Sequence, residues 1–190
     1  MVNSVTVTIR RTARGATMIE VLVTLVIIAF GLLGMAGLQL RLQVSEMESY
    51  QRSQALLLLN DMTSRISTNR SNASAYVTTA ANPLGAGMTC PTTTTTTVQR
   101  DAGEWCNALQ GAGEASGSSK VGAMVGGRGC VESVGGDYLI TVAWQGMAPI
   151  AAPPSSVACG ANSYNGTTGA CVNDLCRRAV TTLVRIANLS

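Results

Sequence analysis

Hydrophobic and polar positions along the chain follow three patterns in turn. From Val21 to Leu40 (VLVTLVIIAFGLLGMAGLQL) no charged residue occurs. Twenty helical residues at about 1.5 Å each span roughly 30 Å, the thickness of a bilayer's hydrocarbon core. Beyond Arg41 the apolar positions become periodic. Val44, Met47, Ala55, Leu58, Leu59, Met62 and Ile66 fall on one helical stripe that Gln51 interrupts, with Glu46, Glu48, Arg52, Asp61 and Arg65 opposite. Glu48 and Arg52 stand in the favourable i,i+4 order, worth a few tenths of a kcal/mol. The pattern predicts one helix from about Thr17 to Ser67, roughly 75 Å long. It should end near Asn69–Asn72, where Arg70 suits the helix dipole. Its first half is apolar all round; its second half has one apolar face, read as core packed on a sheet rather than as a binding groove.

After residue 70 Gly, Thr, Ser, Ala and Asn dominate as far as residue 129, including a threonine run, Thr92–Thr97. This reads as a long surface loop that needs a staple or a function. Three strands are predicted next. Gly129–Val134 and Tyr138–Gln145 flank a Gly135-Gly136-Asp137 hairpin signal. In the second strand Leu139, Thr141 and Ala143 share one face, and Tyr138, Ile140, Val142 and Trp144 the other. Arg178–Ala187 is the third, rich in β-branched residues. Residues 146–176, with Pro149, Pro153, Pro154 and several glycines, read as an irregular connection. The expected fold is α+β: a long N-terminal helix whose second half packs on a small antiparallel sheet with long, stapled loops.

Composition sharpens this. Of 190 residues 46% are hydrophobic and only 12% charged, too few charges for an ordinary cytosolic globule. No histidine occurs, which removes His-based triads and His metal ligands. Arg10, Arg11 and Arg14 precede the apolar run without any acid; the rest of the chain balances ten basic against ten acidic residues. No basic domain surface therefore argues for nucleic-acid binding. Arginines before an apolar span predict a cytoplasmic N-terminus and an outward domain. The span is longer than the h-region of a secretory signal, and no A-x-A pattern closes it before Arg41.

All six cysteines, Cys90, Cys106, Cys130, Cys159, Cys171 and Cys176, lie beyond the apolar span. An even count in an exported domain predicts three disulfides. Cys90–Cys106 is preferred, closing a loop of about 15 residues for roughly 3 kcal/mol. Cys130–Cys176 with Cys159–Cys171 is preferred for the others. A cysteine-only metal site is the rival, but no C-x-x-C occurs. No metal or other cofactor is expected. Gly126-Gly127-Arg128-Gly129 lacks the ending of a phosphate loop. Asp101, Glu104, Glu132, Asp137 and Asp174 show no paired-carboxylate spacing, and Trp105 and Trp144 read as core aromatics. Nothing argues for an enzyme, and no catalytic residue is assigned.

Glu20 is the residue that composition alone does not explain. An acid in a spanning helix costs about 2.5–3.5 kcal/mol at the bilayer centre, less near the interface, and usually has a functional partner. The run Arg14-Gly15-Ala16-Thr17-Met18-Ile19-Glu20-Val21-Leu22-Val23 resembles the cleavage and assembly motif of type IV prepilins, and Ile19–Gln39 extends the likeness toward the minor pilins. The resemblance implies a leader over residues 1–15, a cut by prepilin peptidase between Gly15 and Ala16, and methylation of the new N-terminus at Ala16. Family members often begin the mature chain with Phe or Met; this one begins with Ala. Residues 16–41 would then be the transmembrane and assembly half of the helix, 42–69 its amphipathic half, and 70–190 the extracytoplasmic globular domain of a pilin-like fold. Glu20 would meet the N-terminal amine of a neighbouring subunit, setting register more than strength. Gly31, Gly34 and Gly37 permit close helix approach. The implied partners are other minor pilins, the major pilin, prepilin peptidase and the inner-membrane assembly machinery. The same leader and stalk occur in pseudopilins of type II secretion, and an anchored adhesin or binding module is the alternative of a different class.

Overall fold

The computed structural model describes residues 15–117 and 119–186. The expected leader and its arginines lie outside them except for Gly15, and so does Ala187. The elements in chain order are helix α1 (Met18–Thr68), a short 3₁₀ helix (Arg70–Tyr76), β1 (Leu84–Gly85), α2 (Thr97–Leu109), β2 (Ala115–Ser116), β3 (Ser119–Lys120), β4 (Arg128–Val134), β5 (Asp137–Gln145) and β6 (Arg177–Val184). The chain divides into two compact units, one up to Gln43 and one from Val44 onward. Among the described residues the first comprises residues 15–17 and the apolar part of α1. The second is α+β and pilin-like, with a four-stranded antiparallel sheet ordered β1-β4-β5-β6 and a separate β2-β3 pair.

Within the second unit α1 buries Gln51, Ala55, Leu59, Met62 and Ile66. Their spacing of three and four residues places them on one face. The last four join a core with Trp105, Cys106 and Leu109 of α2, Val131 of β4, and Ile140, Val142 and Trp144 of β5. Val44 and Met47, expected on the stripe, are largely exposed. Gln51 is buried; its Oε1 accepts the Val125 backbone N–H at 3.3 Å, while its Nε2 finds no partner among the described residues. The expected Glu48–Arg52 pair is replaced. Glu48 Oε1 accepts the Met147 N–H at 2.7 Å and faces Arg178 Nη2 at 3.3 Å. A long-range partner and a fixed amide outweigh an exposed i,i+4 pair worth a few tenths of a kcal/mol.

The stretch expected to be one long loop contains α2. Thr96, inside the threonine run, caps it. Its Oγ1 accepts the Gln99 N–H at 3.2 Å, while Gln99 Oε1 accepts the Thr96 N–H at 3.2 Å, a complete capping box. Trp105 anchors the helix, fully buried, its indole N–H donating to the Leu58 carbonyl of α1 at 2.9 Å. The ring leaves no room for a side chain at Gly129. Arg65 of α1 adds polar ties, with Nη1 at 2.7 Å from both Asp101 Oδ1 and Glu104 Oε2 of α2 and Nε at 3.0 Å from Asp61. Asp101 also accepts the Tyr76 hydroxyl. Burial, and then this bond, hold the Tyr76 phenol above its usual pKa.

The β4–β5 hairpin turns through Gly135 and Gly136, whose φ values of 61° and 90° suit the two-residue turn joining Val134 to Asp137. Both faces of β5 are covered. Residues 146–176 pass over the face of Thr141 and Ala143, where Gly160 approaches Ala143 and the Cys159 sulfur lies 3.9 Å from the Thr141 carbonyl oxygen.

The disulfides are Cys90–Cys106, Cys130–Cys159 and Cys171–Cys176. The first is the expected bridge; the expected Cys130–Cys176 and Cys159–Cys171 pairs do not form. Cys176 continues β6, its carbonyl accepting the Gly146 N–H at 2.7 Å. Strand β6 pairs with β5, so two strand spacings, about 9.6 Å, separate it from β4. A disulfide bridges Cα atoms only about 4.4–6.8 Å apart. Cys130 therefore takes Cys159 from the covering loop, leaving Cys171 and Cys176 to close a local loop at a Cα separation of 5.2 Å.

Two stability predictions follow from buried polar groups. The Thr141 hydroxyl is buried without a hydrogen-bond partner. Thr141→Val should raise the unfolding free energy by about 1 kcal/mol, read from denaturant melts under oxidising conditions. Burial raises the Tyr164 phenol above its ordinary value of 10.0, opposed by Arg128. The neutral form is favoured in the folded state. Stability from this group is complete below about pH 10 and declines as pH rises toward the folded value. Tyr164→Phe should flatten the loss of stability above pH 10; an unchanged alkaline slope contradicts the assignment.

Candidate assembly site

The first helical turn is built by Thr17. Its carbonyl accepts the N–H groups of Glu20 at 3.1 Å and Val21 at 3.2 Å, and its hydroxyl oxygen lies 3.3 Å from the Glu20 nitrogen as an N-cap acceptor. Thr17-Met18-Ile19-Glu20 has capping-box spacing, a signal the sequence reading passed over. Among the described residues only the threonine half of the box forms, and Glu20 makes no salt bridge. Its exposed carboxylate occupies the first turn, where negative charge suits the helix dipole.

Gly15 and Ala16 precede the helix in exposed, non-helical chain. Among the described residues no heavy atom within 4 Å would meet a side chain added at Gly15. The Gly15–Ala16 bond thus stands outside the hydrogen-bonded helix.

From Met18 through Leu42 the large apolar side chains are exposed, with Phe30 at 71% and Leu33 at 69%. The helix is long and apolar enough to cross a membrane, and none of its most apolar window is buried by the chain itself. Side chains added at Gly31, Gly34 or Gly37 would also meet nothing within 4 Å. Packing among the described residues therefore does not require these glycines, each of which weakens a helix by about 1 kcal/mol relative to alanine.

The model for the prokaryotic N-terminal methylation motif matches residues 10–36, about a seventh of the chain. The match runs from Arg10 through the first-turn acid and into the glycine-bearing apolar segment. No curated protein and no solved structure matches the chain. The chain thus carries a type IV prepilin-like methylation motif on an exposed apolar helix, which gives it a membrane-anchoring N-terminal segment.

The cap can be tested directly. Thr17→Ala should lower amide-exchange protection at Glu20 about fivefold in detergent-solubilised protein, equivalent to a cap of about 1 kcal/mol. Thr17→Ser should retain it, whereas equal protection in the alanine and wild-type proteins rules out the cap.

Proposed function

We propose that this protein is a minor type IV pilin of the PilV, or pilus modification, class. The observation that carries the reading is the methylation motif continuous with a helix whose apolar surface is unburied. In this reading the chain waits in the inner membrane with its N-terminus cytoplasmic, as the arginines before the span favour, and its globular unit in the periplasm. Prepilin peptidase cuts between Gly15 and Ala16 and methylates Ala16. The freed helix then leaves the lipid and packs against helices of other minor pilins and the major pilin.

Glu20 selects register in that bundle. The new amine of Ala16 is cationic, with or without methylation. A carboxylate transferred to the low-dielectric bundle interior is tolerated when it meets such a cation and costly when it does not. An axially offset neighbour whose amine meets Glu20 is thereby favoured over other offsets. Apolar contact supplies the cohesion of a filament standing in water, about 1.5–3 kcal/mol for each large side chain kept from it. The subunit contributes to a tip complex that primes assembly, and through it to piliation, twitching motility or adhesion. The methylation motif equally favours a pseudopilin of type II secretion, distinguished by which filament contains the protein.

Intact mass of the protein from its native host tests the processing. We expect a chain beginning at Ala16, with or without one added methyl group, that gains six hydrogens on reduction of its three disulfides. An intact leader, or a cut beyond residue 40, overturns the pilin reading. Glu20→Ala should insert into the membrane normally and be absent from sheared filaments; incorporation at the wild-type level removes the register role of Glu20.

A further inference from the structure

The two edges of the main sheet differ. Gly146 donates to the Cys176 carbonyl, and the Gln145 N–H turns away from β6 to the Val125 carbonyl. Antiparallel pairs alternate between hydrogen-bonded and non-bonded types. Continuing the β5–β6 register from Gly146 and Cys176, Arg178, Val180, Thr182 and Val184 bond to β5. The backbone groups of Ala179, Thr181 and Leu183 consequently point out of the sheet. Thr181 and Leu183 are exposed, and no described residue bonds to the outward N–H and carbonyl groups of these three. The opposite edge is largely covered, since β1 pairs with Gly129, and Thr78 exchanges two bonds with Val131 at 2.8 and 3.0 Å.

A groove of about 350 Å³ borders the open edge, lined by Ser45, Glu48 and Arg52 of α1, Trp144 of β5, and Arg178 and Ala179 of β6. Trp144 is 3% exposed, and its indole N–H has no hydrogen-bond partner. Arg52 is exposed and forms no salt bridge among the described residues, while Arg178 is matched by Glu48. With Arg52 and Arg178 against Glu48, the groove carries a net positive charge. Its complement is an acceptor-rich, acidic segment.

We propose that the open edge of β6 receives an extended strand from a different subunit of the same assembly, with an acidic side chain of that strand reaching Arg52. The inference rests on the pilin reading. Strand addition supplies the partners that the outward groups of Ala179, Thr181 and Leu183 lack. A copy of this chain is the poorer occupant. Stacking copies edge to edge requires a second open edge, and the β4 edge is already engaged. Pairing β6 with β6 in antiparallel fashion is isologous and closes at two copies, whereas an open filament needs heterologous contacts. A different subunit satisfies both conditions.

The test follows full-length protein in its native host. Thr181→Pro removes one outward N–H while leaving every β5–β6 bond in place, a substitution that edge strands tolerate. Arg52→Glu reverses the groove's charge at an exposed position. Both variants should be cut at Gly15, form three disulfides and accumulate in the membrane like wild type. Their content in sheared filaments should fall about tenfold, the effect of losing about 1.4 kcal/mol of docking energy, with Arg52→Lys near wild type. Filament content equal to wild type for both overturns the strand proposal and leaves the pilin reading intact. Wild-type protein absent from filaments removes the pilin reading and this inference with it. Cross-linking from Thr181→Cys to a cysteine-bearing second subunit supports the proposal, while a cross-link only between two copies of this chain overturns it.

Discussion

An apolar helix surface that its own chain does not cover is the constraint on which the rest depends. Each exposed Leu, Ile, Val or Phe between Met18 and Leu42 carries about 1.5–3 kcal/mol of unrealised transfer free energy. Only lipid or other apolar helices can realise it. This requirement fits the placing of charge: between Met18 and Leu40 the one charged residue, Glu20, stands at the helix entry. The Thr17 hydroxyl adds a second acceptor to the Glu20 N–H, and Glu20 is placed where the backbone dipole tolerates a negative charge. It also explains how the glycines are tolerated. A residue that destabilises a helix and touches nothing at home gains a physical rationale when another helix approaches closely.

The globular unit meets a different constraint. It has few large apolar residues, so its core is concentrated on a few anchors and reinforced covalently. Trp105 does most of the central filling, which excludes a side chain at Gly129 and pins α2 to α1 through the Leu58 carbonyl. The bridges fasten irregular segments to the core elements. Cys90–Cys106 ties the approach to α2 to its last turns, and Cys130–Cys159 ties the covering loop to β4. In the chain-entropy view each such closure raises the free energy of the unfolded ensemble, by about 3 kcal/mol for a loop of this size. A domain with this composition would otherwise lack sufficient apolar burial.

The sequence disclosed the parts governed by simple periodicity and withheld those governed by tertiary geometry. The long helix, the hairpin at Gly135-Gly136 and the three long strands follow from periods of 3.6 and 2.0 and from turn chemistry, and the structure contains them within a residue or a few of the expected bounds. Helix α2 was hidden because the threonine run dominated the composition. Its local signal was nevertheless present in Thr96-x-x-Gln99 and in the spacing of Trp105, Cys106 and Leu109. The second and third disulfides were not legible, because the choice of partner for Cys130 depends on β6 lying beside β5 rather than β4. Gln51 interrupts the apolar stripe in sequence yet is buried, where its Oε1 accepts a backbone N–H from Val125, distant in sequence. At the assembly site the motif residues were legible, but the cap made by Thr17 was overlooked, although Glu20 had already been singled out.

The half-made capping box bears on how Glu20 can serve two states. A complete box would engage its carboxylate with the backbone N–H of Thr17, leaving less of it available to another group. Thr17 instead supplies the cap alone. The helix start is then set by one residue, while the acid remains available in the first turn. In lipid, that position keeps the carboxylate near the interface, where burial costs least. In a bundle of helices, the same carboxylate can meet a cation presented by a neighbour at the matching axial offset. On the proposed reading of Glu20 as the group that selects register, separating it from the group that starts the helix would let the segment insert before it assembles, because neither step requires undoing the other.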